Sequence, residues 1–173
     1  TWNVIDRYFS DNPLYFTQHH ISSYNRFIET EISKVFQTYN PILNYKDNTN
    51  KSSDSLPKYK YKLSVYVGGK DGKAIKIGKP TYYDARDKTY KILYPNEARL
   101  RNFDYVVPLL ASYHVELDYD GVKTVRSYEM KEHEELKDRV LCHIPLMLQS
   151  KYCPLSQHLP EALPVLGECR YDQ

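Results

Sequence analysis

The side chains able to do chemistry are present but scattered. The six histidines are His19, His20, His114, His133, His143 and His158, and none falls at a spacing that gathers ligands around a metal ion. His19 and His20 are adjacent, so on a helix or a strand their rings diverge. The three cysteines, Cys142, Cys153 and Cys169, include no C-x2-C pair, which argues against a structural zinc site. Cys142 or Cys153 paired in space with a histidine would make a nucleophile, but no local motif supports the pairing. Ser, His and Asp all occur without a Gly-x-Ser-x-Gly elbow. Asp118 and Asp120 flank a turn, where two wet carboxylates are ordinary. Gly68-Gly69-Lys70 lacks the spacing of a Walker phosphate loop and reads as a hairpin turn. The residues alone give no catalytic constellation.

The elements that would position these groups are clearer. Leu93-Tyr94-Pro95-Asn96-Glu97-Ala98-Arg99-Leu100-Arg101-Asn102 predicts a short helix. Pro95 suits its first position, Glu97 favours the positive end of its dipole and Asn102 can end it in a left-handed conformation. Glu97 and Arg101, four apart, share a face and can pair. Trp2, Ile5, Tyr8 and Phe9 predict an amphipathic helix closed by Asn12-Pro13. A second helix, capped at Ser22 or Ser23, carries the stripe Tyr24, Phe27, Ile28, Ile32, Val35 and Phe36 and stops at Asn40-Pro41. Lys58 to Val67 alternates as a strand with a lysine-rich wet face. Leu109 to Asp118 and Val122 to Met130 form a hairpin about Asp120-Gly121, with a break near Pro108. Val140 to Leu148 is strand-like, and Lys131 to Asp138 is a solvated connection or helical turn. Ser150 to Pro164 is irregular, and Thr81 to Lys91 shows no period that selects helix or strand. The fold class expected is α+β: N-terminal helices packed on a largely antiparallel sheet of hairpins. Residues 1–173 read as a single domain, with a polar mobile loop over 44–57.

Composition narrows the function classes. The chain has 173 residues, 41% hydrophobic and 27% charged, with 18 tyrosines. A net charge of +2 does not by itself argue for nucleic acid. Its distribution says more: residues 58–101 carry twelve Lys or Arg against four Asp or Glu, whereas 102–138 carry four against nine. Either two faces meet different neighbours or long hairpins carry solvated charge; both readings stay open. No apolar run approaches a membrane span. An odd cysteine count without a signal peptide points to an intracellular, reducing compartment.

Four separated strings carry a resemblance. They are Trp2 to Glu31 (with Gln18-His19-His20-Ile21-Ser22-Ser23-Tyr24-Asn25-Arg26-Phe27-Ile28), Leu93 to Asn102, Ile144-Pro145-Leu146-Met147-Leu148-Gln149-Ser150-Lys151-Tyr152-Cys153, and Gly167-Glu168-Cys169-Arg170-Tyr171-Asp172-Gln173. In this order the chain resembles the N-terminal, protrusion region of the second-largest subunit of multisubunit DNA-directed RNA polymerases. The likeness is to the eukaryotic type, the counterpart of the bacterial beta subunit. Asn12-Pro13 before His19-His20 is similar to versions from large DNA viruses; a protist nuclear polymerase is the alternative.

The resemblance implies an incomplete fragment of that subunit that helps form one wall of the DNA cleft during transcription. It implies membership of a nucleotidyltransferase, with no catalytic residue and no cofactor in the fragment itself. Mg2+ and Zn2+ are expected in the complete polymerase. The implied partners are the largest subunit, other polymerase subunits, the DNA template and nascent RNA. The implied location is the virion or host cytoplasm if viral, the nucleus if cellular. Arg99, Arg101 and Lys151 are the candidates for contact with nucleic acid or a partner subunit; bracing of the fold by ion pairs is the competing role. Gln149 stands where the family often has Arg, which weakens a phosphate-gripping role for that loop. The rival function is an independent nucleic-acid or protein binding module using the basic, Tyr-rich hairpins of 58–91.

Overall fold

The computed structural model of the protein describes residues 2–47, 59–119 and 122–168. Most of the expected loop, Lys58, the Asp120-Gly121 turn, Cys169 and the rest of the last string lie outside these residues. The chain folds as two compact units, each assembled from separated segments. One comprises Thr1–Glu29, Gly78–Pro108 and His143–Gln173; the other comprises Thr30–Ile77 and Leu109–Cys142. The antiparallel hairpins and short helices make the expected α+β fold.

In the first unit, helix α1 spans Trp2–Asp11 and buries none of its residues. Helix α2 spans Gln18–Arg26 and starts four residues before the expected serine caps. Its first turn is set up by Thr17, whose carbonyl accepts the His20 and Ile21 N–H groups at 3.0 and 3.1 Å. A π-helical turn, Phe27–Glu31, joins α2 to helix α3, Ile32–Tyr39. The wider turn breaks the 3.6-residue phase that the apolar stripe assumed. Ile28 and Ile32 are buried, whereas Phe27 and Val35 stay exposed. α3 falls in the second unit; the first also contains the hairpin β4 (Thr81–Asp84) and β5 (Thr89–Ile92), helix α4 (Pro95–Arg101) and two 3-10 turns, Pro154–Gln157 and Pro160–Leu166.

The second unit is built on a four-stranded antiparallel sheet of order β1-β2-β7-β8. Its strands are β1 (Ile42–Asp47), β2 (Tyr59–Val67), β7 (Tyr113–Tyr119) and β8 (Val122–Ser127). Residues 44–47, expected as the start of a loop, are strand. Pairing with β2 holds them, and all six β1 side chains are exposed, so no apolar alternation marks the strand. β2 lies between β1 and β7, which buries Ser64 and half-buries Lys62 on the face expected to be wet.

Strands β3 (Ile75–Ile77), β6 (Val106–Ala111) and β9 (Arg139–Pro145) form a further sheet, in which Ile77 pairs with Leu109. β6 runs through Pro108, where a break was expected. The proline serves as an acceptor only, taking the Gly78 N–H at 2.9 Å. The interruption falls instead at Ser112, which is buried. Its carbonyl accepts both Gly68 and Gly69 N–H groups, at 2.9 and 3.1 Å. Its hydroxyl accepts the Asp138 N–H at 3.1 Å. α3 joins this unit through Asn40, whose side-chain oxygen accepts the Val67 N–H at 3.0 Å, and Gln37, which donates to the Asp71 carbonyl at 2.9 Å.

One carboxylate concentrates the charge of the second unit. Glu116 lies 2.6 Å from Lys70, 2.9 Å from Lys123 and 3.2 Å from the His114 ring. The Lys70 hydrogen bond first, then those of Lys123 and His114, pull its carboxyl from 4.5 down to about 2. A depressed carboxyl stabilises the fold above its unfolded value and loses that contribution as pH falls from 4.5 towards 2. Both lysine side chains are more than half exposed, so screening reduces the effect to about 1–2 kcal/mol. Glu116→Gln is therefore expected to flatten the stability profile of the full chain between those pH values. Denaturant titrations at stepped pH measure this; an acid limb of unchanged slope would remove Glu116 from the account.

Candidate functional site

Helix α4 is short, and its termini show what the sequence around it is for. Pro95 occupies the first turn and Glu97 adds a negative charge there. Tyr94, at the N-cap, offers no side-chain acceptor. Seven residues are too few to hold a helix without outside support. The support comes from far along the chain. The buried Glu168 accepts the Asn96 N–H through Oε2 at 2.9 Å, and the Asn96 amide donates to the Gly167 carbonyl at 2.8 Å. Gly167, left-handed at φ 77°, ends the turn at 160–166, and the Glu168 N–H returns to the Leu163 carbonyl at 2.9 Å. A carboxylate held at a helix N-terminus meets both an orphan N–H and the positive end of the dipole.

The other end closes as the sequence predicts. Asn102 is left-handed, at φ 55° and ψ 43°, and its N–H reaches the Ala98 and Arg99 carbonyls. Glu97 receives Arg101 at 2.9 Å and the Tyr82 hydroxyl at 2.8 Å. The Arg101 guanidinium also lies 4.9 Å from the Tyr82 ring centroid, within cation–π range. Accepting the hydroxyl hydrogen, the Glu97 carboxylate holds the Tyr82 phenol above the ordinary tyrosine range.

The same unit draws in the other strings. The Tyr105 carbonyl accepts the Leu146 N–H at 2.9 Å. The Tyr105 hydroxyl lies 3.2 Å from the sulfur of Cys153, and burial, followed by that contact, pushes the phenol far above its usual value. The Tyr24 hydroxyl donates to the Pro145 carbonyl at 2.7 Å. Asn25 accepts the Lys151 N–H at 3.0 Å, and the Lys151 ammonium pairs with Glu29. The strings that carry the resemblance thus meet, through hydrogen bonds, within one unit.

The candidate residues fall in distinct places. Arg99 and Arg101 are exposed on the last turn of α4, and Lys151 is exposed just after Gln149, which is left-handed at φ 59°. Arg101 and Lys151 are each held in a separate ion pair. Arg99 lines a cleft of ≈ 540 Å³ with Ala98, Phe103, Tyr105, Leu146 and Leu148. Cys153 is completely buried against Tyr105, so no substrate reaches its thiol in this conformation; Cys142 is exposed. The Gly68 and Gly69 N–H groups are spent on Ser112, which leaves them no donor for a phosphate. Among the described residues no three of His, Cys, Asp and Glu are grouped to hold a metal ion. Among the same residues no helix is long and apolar enough to cross a membrane. Sequence reasoning missed Glu168 as the cap; the one available signal was the missing capping side chain at Tyr94.

Comparison with known proteins agrees with this convergence. The family model described as RNA polymerase beta subunit matches residues 15–173. DNA-directed RNA polymerase II subunit 2 of Arabidopsis thaliana is 28% identical over 175 residues, which cover 99% of this chain and 14% of that protein. DNA-directed RNA polymerase subunit Rpo2 of Saccharolobus solfataricus is 28% identical over 167 residues, 96% of this chain and 12% of that protein. Subunit Rpo2N of Methanothermobacter thermautotrophicus is 30% identical over 154 residues, 89% of this chain and 23% of that protein. The chain spans less than a quarter of the length of each of these relatives. With the match running from residue 15 to residue 173, the chain belongs to the RNA polymerase beta subunit family.

Proposed function

We propose that this chain is a structural part of the second-largest subunit of a DNA-directed RNA polymerase, where it helps form one wall of the DNA cleft during transcription. The observation that carries the reading is that the shared strings hydrogen-bond to one another in pairs within one unit, Asn96 with Gly167 and Glu168, and Tyr24, Asn25 and Glu29 with Pro145 and Lys151. On this reading the segment supplies shape, and nucleotidyl transfer, with its Mg2+ and Zn2+, belongs to the rest of the enzyme. Its partners are the largest and other polymerase subunits, the DNA template and the nascent RNA, and it works in an intracellular, reducing compartment. The ion pairs of Arg101 and Lys151 favour bracing over phosphate contact for these two residues.

The test is a polymerase in which this chain replaces the matching segment of a relative. Assembly and DNA retention are expected to persist. Lys151→Ala in that enzyme is expected to leave the salt dependence of retention unchanged, since the residue pairs with Glu29. A salt slope shallower by about 0.9, the signature of one lost phosphate contact on duplex DNA, would reassign Lys151 to DNA. A polymerase that fails to assemble would overturn the structural role.

A further inference from the structure

The hairpin of β4 and β5 has one anchored face and one open face. Tyr82 lies opposite Lys91, and Tyr83 opposite Tyr90. The anchored face is fixed to α4 by the Tyr82–Glu97 hydrogen bond and by Arg101 over the Tyr82 ring. The base is closed by the Leu93 N–H donating to the carbonyl of the buried Pro80 at 2.9 Å. The open face presents Tyr83, Tyr90 and Ile92, which are 53%, 76% and 43% exposed. The two tyrosine rings meet at 5.3 Å and 60°, so one ring stands as a wall beside the other. Charge at the tip is uneven. Asp84 and Asp87 are both held by Lys91, and Asp84 also accepts the Arg86 N–H at 3.0 Å. Arg86 and Lys88 are exposed, and among the described residues neither has an ion-pair partner. Lys88 holds a left-handed conformation at φ 53°, part of a tight tip.

We propose that this hairpin is a contact for single-stranded nucleic acid. An unpaired base stacks on Tyr90 with Tyr83 as its side wall, and Arg86 and Lys88 take the flanking phosphates. The turn lies only a few residues from the tyrosine pair, at about 3.4 Å per residue along a strand, within reach of one nucleotide. An exposed aromatic platform beside two cations without an ion-pair partner among the described residues complements a ligand with both a flat apolar face and a repeating negative charge. A duplex hides its base faces, and an acidic peptide has no flat base to stack. The contact uses none of Arg99, Arg101 and Lys151, Arg101 lying over Tyr82 on the anchored face, and it goes beyond the structural role proposed above without depending on it.

The test titrates the 173-residue chain against a fluorescein-labelled oligothymidylate, read by anisotropy at several salt concentrations. Salt-dependent binding is expected, weakened about tenfold by Tyr90→Ala and retained by Tyr90→Phe. The double variant Arg86→Gln/Lys88→Gln is expected to lower the slope of log K against log salt by about 1.4, at roughly 0.7 for each phosphate contact on a single strand. Circular dichroism confirms that the variants keep the fold. No binding, or binding indifferent to Tyr90→Ala and to the double variant, would overturn the proposal. Polyglutamate binding with the same sensitivity to Tyr90→Ala would also overturn it, in favour of an acidic peptide.

Discussion

Leu163→Ala is expected to destabilise the first unit by about 2–5 kcal/mol, the range for emptying a fully buried leucine site. Leu163 has no exposed surface, and its carbonyl receives the Gly167 and Glu168 N–H groups. The side chain therefore sets the position of the turn that carries the cap of α4. For a chain of this length the loss corresponds to a fall of roughly 5–15 °C in Tm. Val165, in the same turn but 88% exposed, provides the control. Val165→Ala is expected to change stability by about 0.5 kcal/mol or less, as surface substitutions usually do. Thermal melts of the two variants give the comparison, and equal effects would refute the packing role of Leu163.

Glu168→Ala is expected to cost about 2–3 kcal/mol. It removes the acceptor that satisfies the Asn96 N–H and takes a negative charge from the N-terminus of α4. Glu168→Gln keeps an acceptor and loses the charge, so it is expected to fall between wild type and alanine. Hydrogen exchange gives the local readout: amides of residues 96–102 lose protection in Glu168→Ala, while those of β2 and β7 do not. If Leu163 acts partly by placing Glu168, the double variant is sub-additive by at least about 0.5 kcal/mol. Strict additivity would mean that the turn and the cap act separately.

How much of this was legible in the sequence depends on how far apart the interacting residues lie. Everything about α4 that is local was readable: Pro95 at its start, Glu97 with Arg101 one turn on, and Asn102 in the left-handed region at its end. Its cap was not, because Glu168 lies 72 residues from Asn96. The ion pair of Lys151 with Glu29 spans 122 residues and was equally hidden, so the candidate site could be named but not its partners. The start of α2 was misplaced because Thr17 rather than a serine opens it, and the π turn at 27–31 escaped for a separate reason. Periodicity reports the mean phase of a helix and does not register an extra residue inserted in one turn. β1 escaped notice because a strand held by ladder bonds alone needs no apolar side chains.

The interleaving of the two units has a consequence for the order in which they can form. The second unit has all its sequence once Cys142 has been made. The first unit has its opening segment from the start but lacks Leu163 and Glu168 until synthesis is almost at Gly167 and beyond. A chain emerging from the ribosome can therefore complete the β1-β2-β7-β8 sheet while α4 still waits for its cap, and contacts of such long sequence separation are slow to close. The strings that mark the family are thus the last to be fastened: the bonds of Tyr24, Asn25 and Glu29 wait for Pro145 and Lys151, and that of Asn96 waits for Glu168.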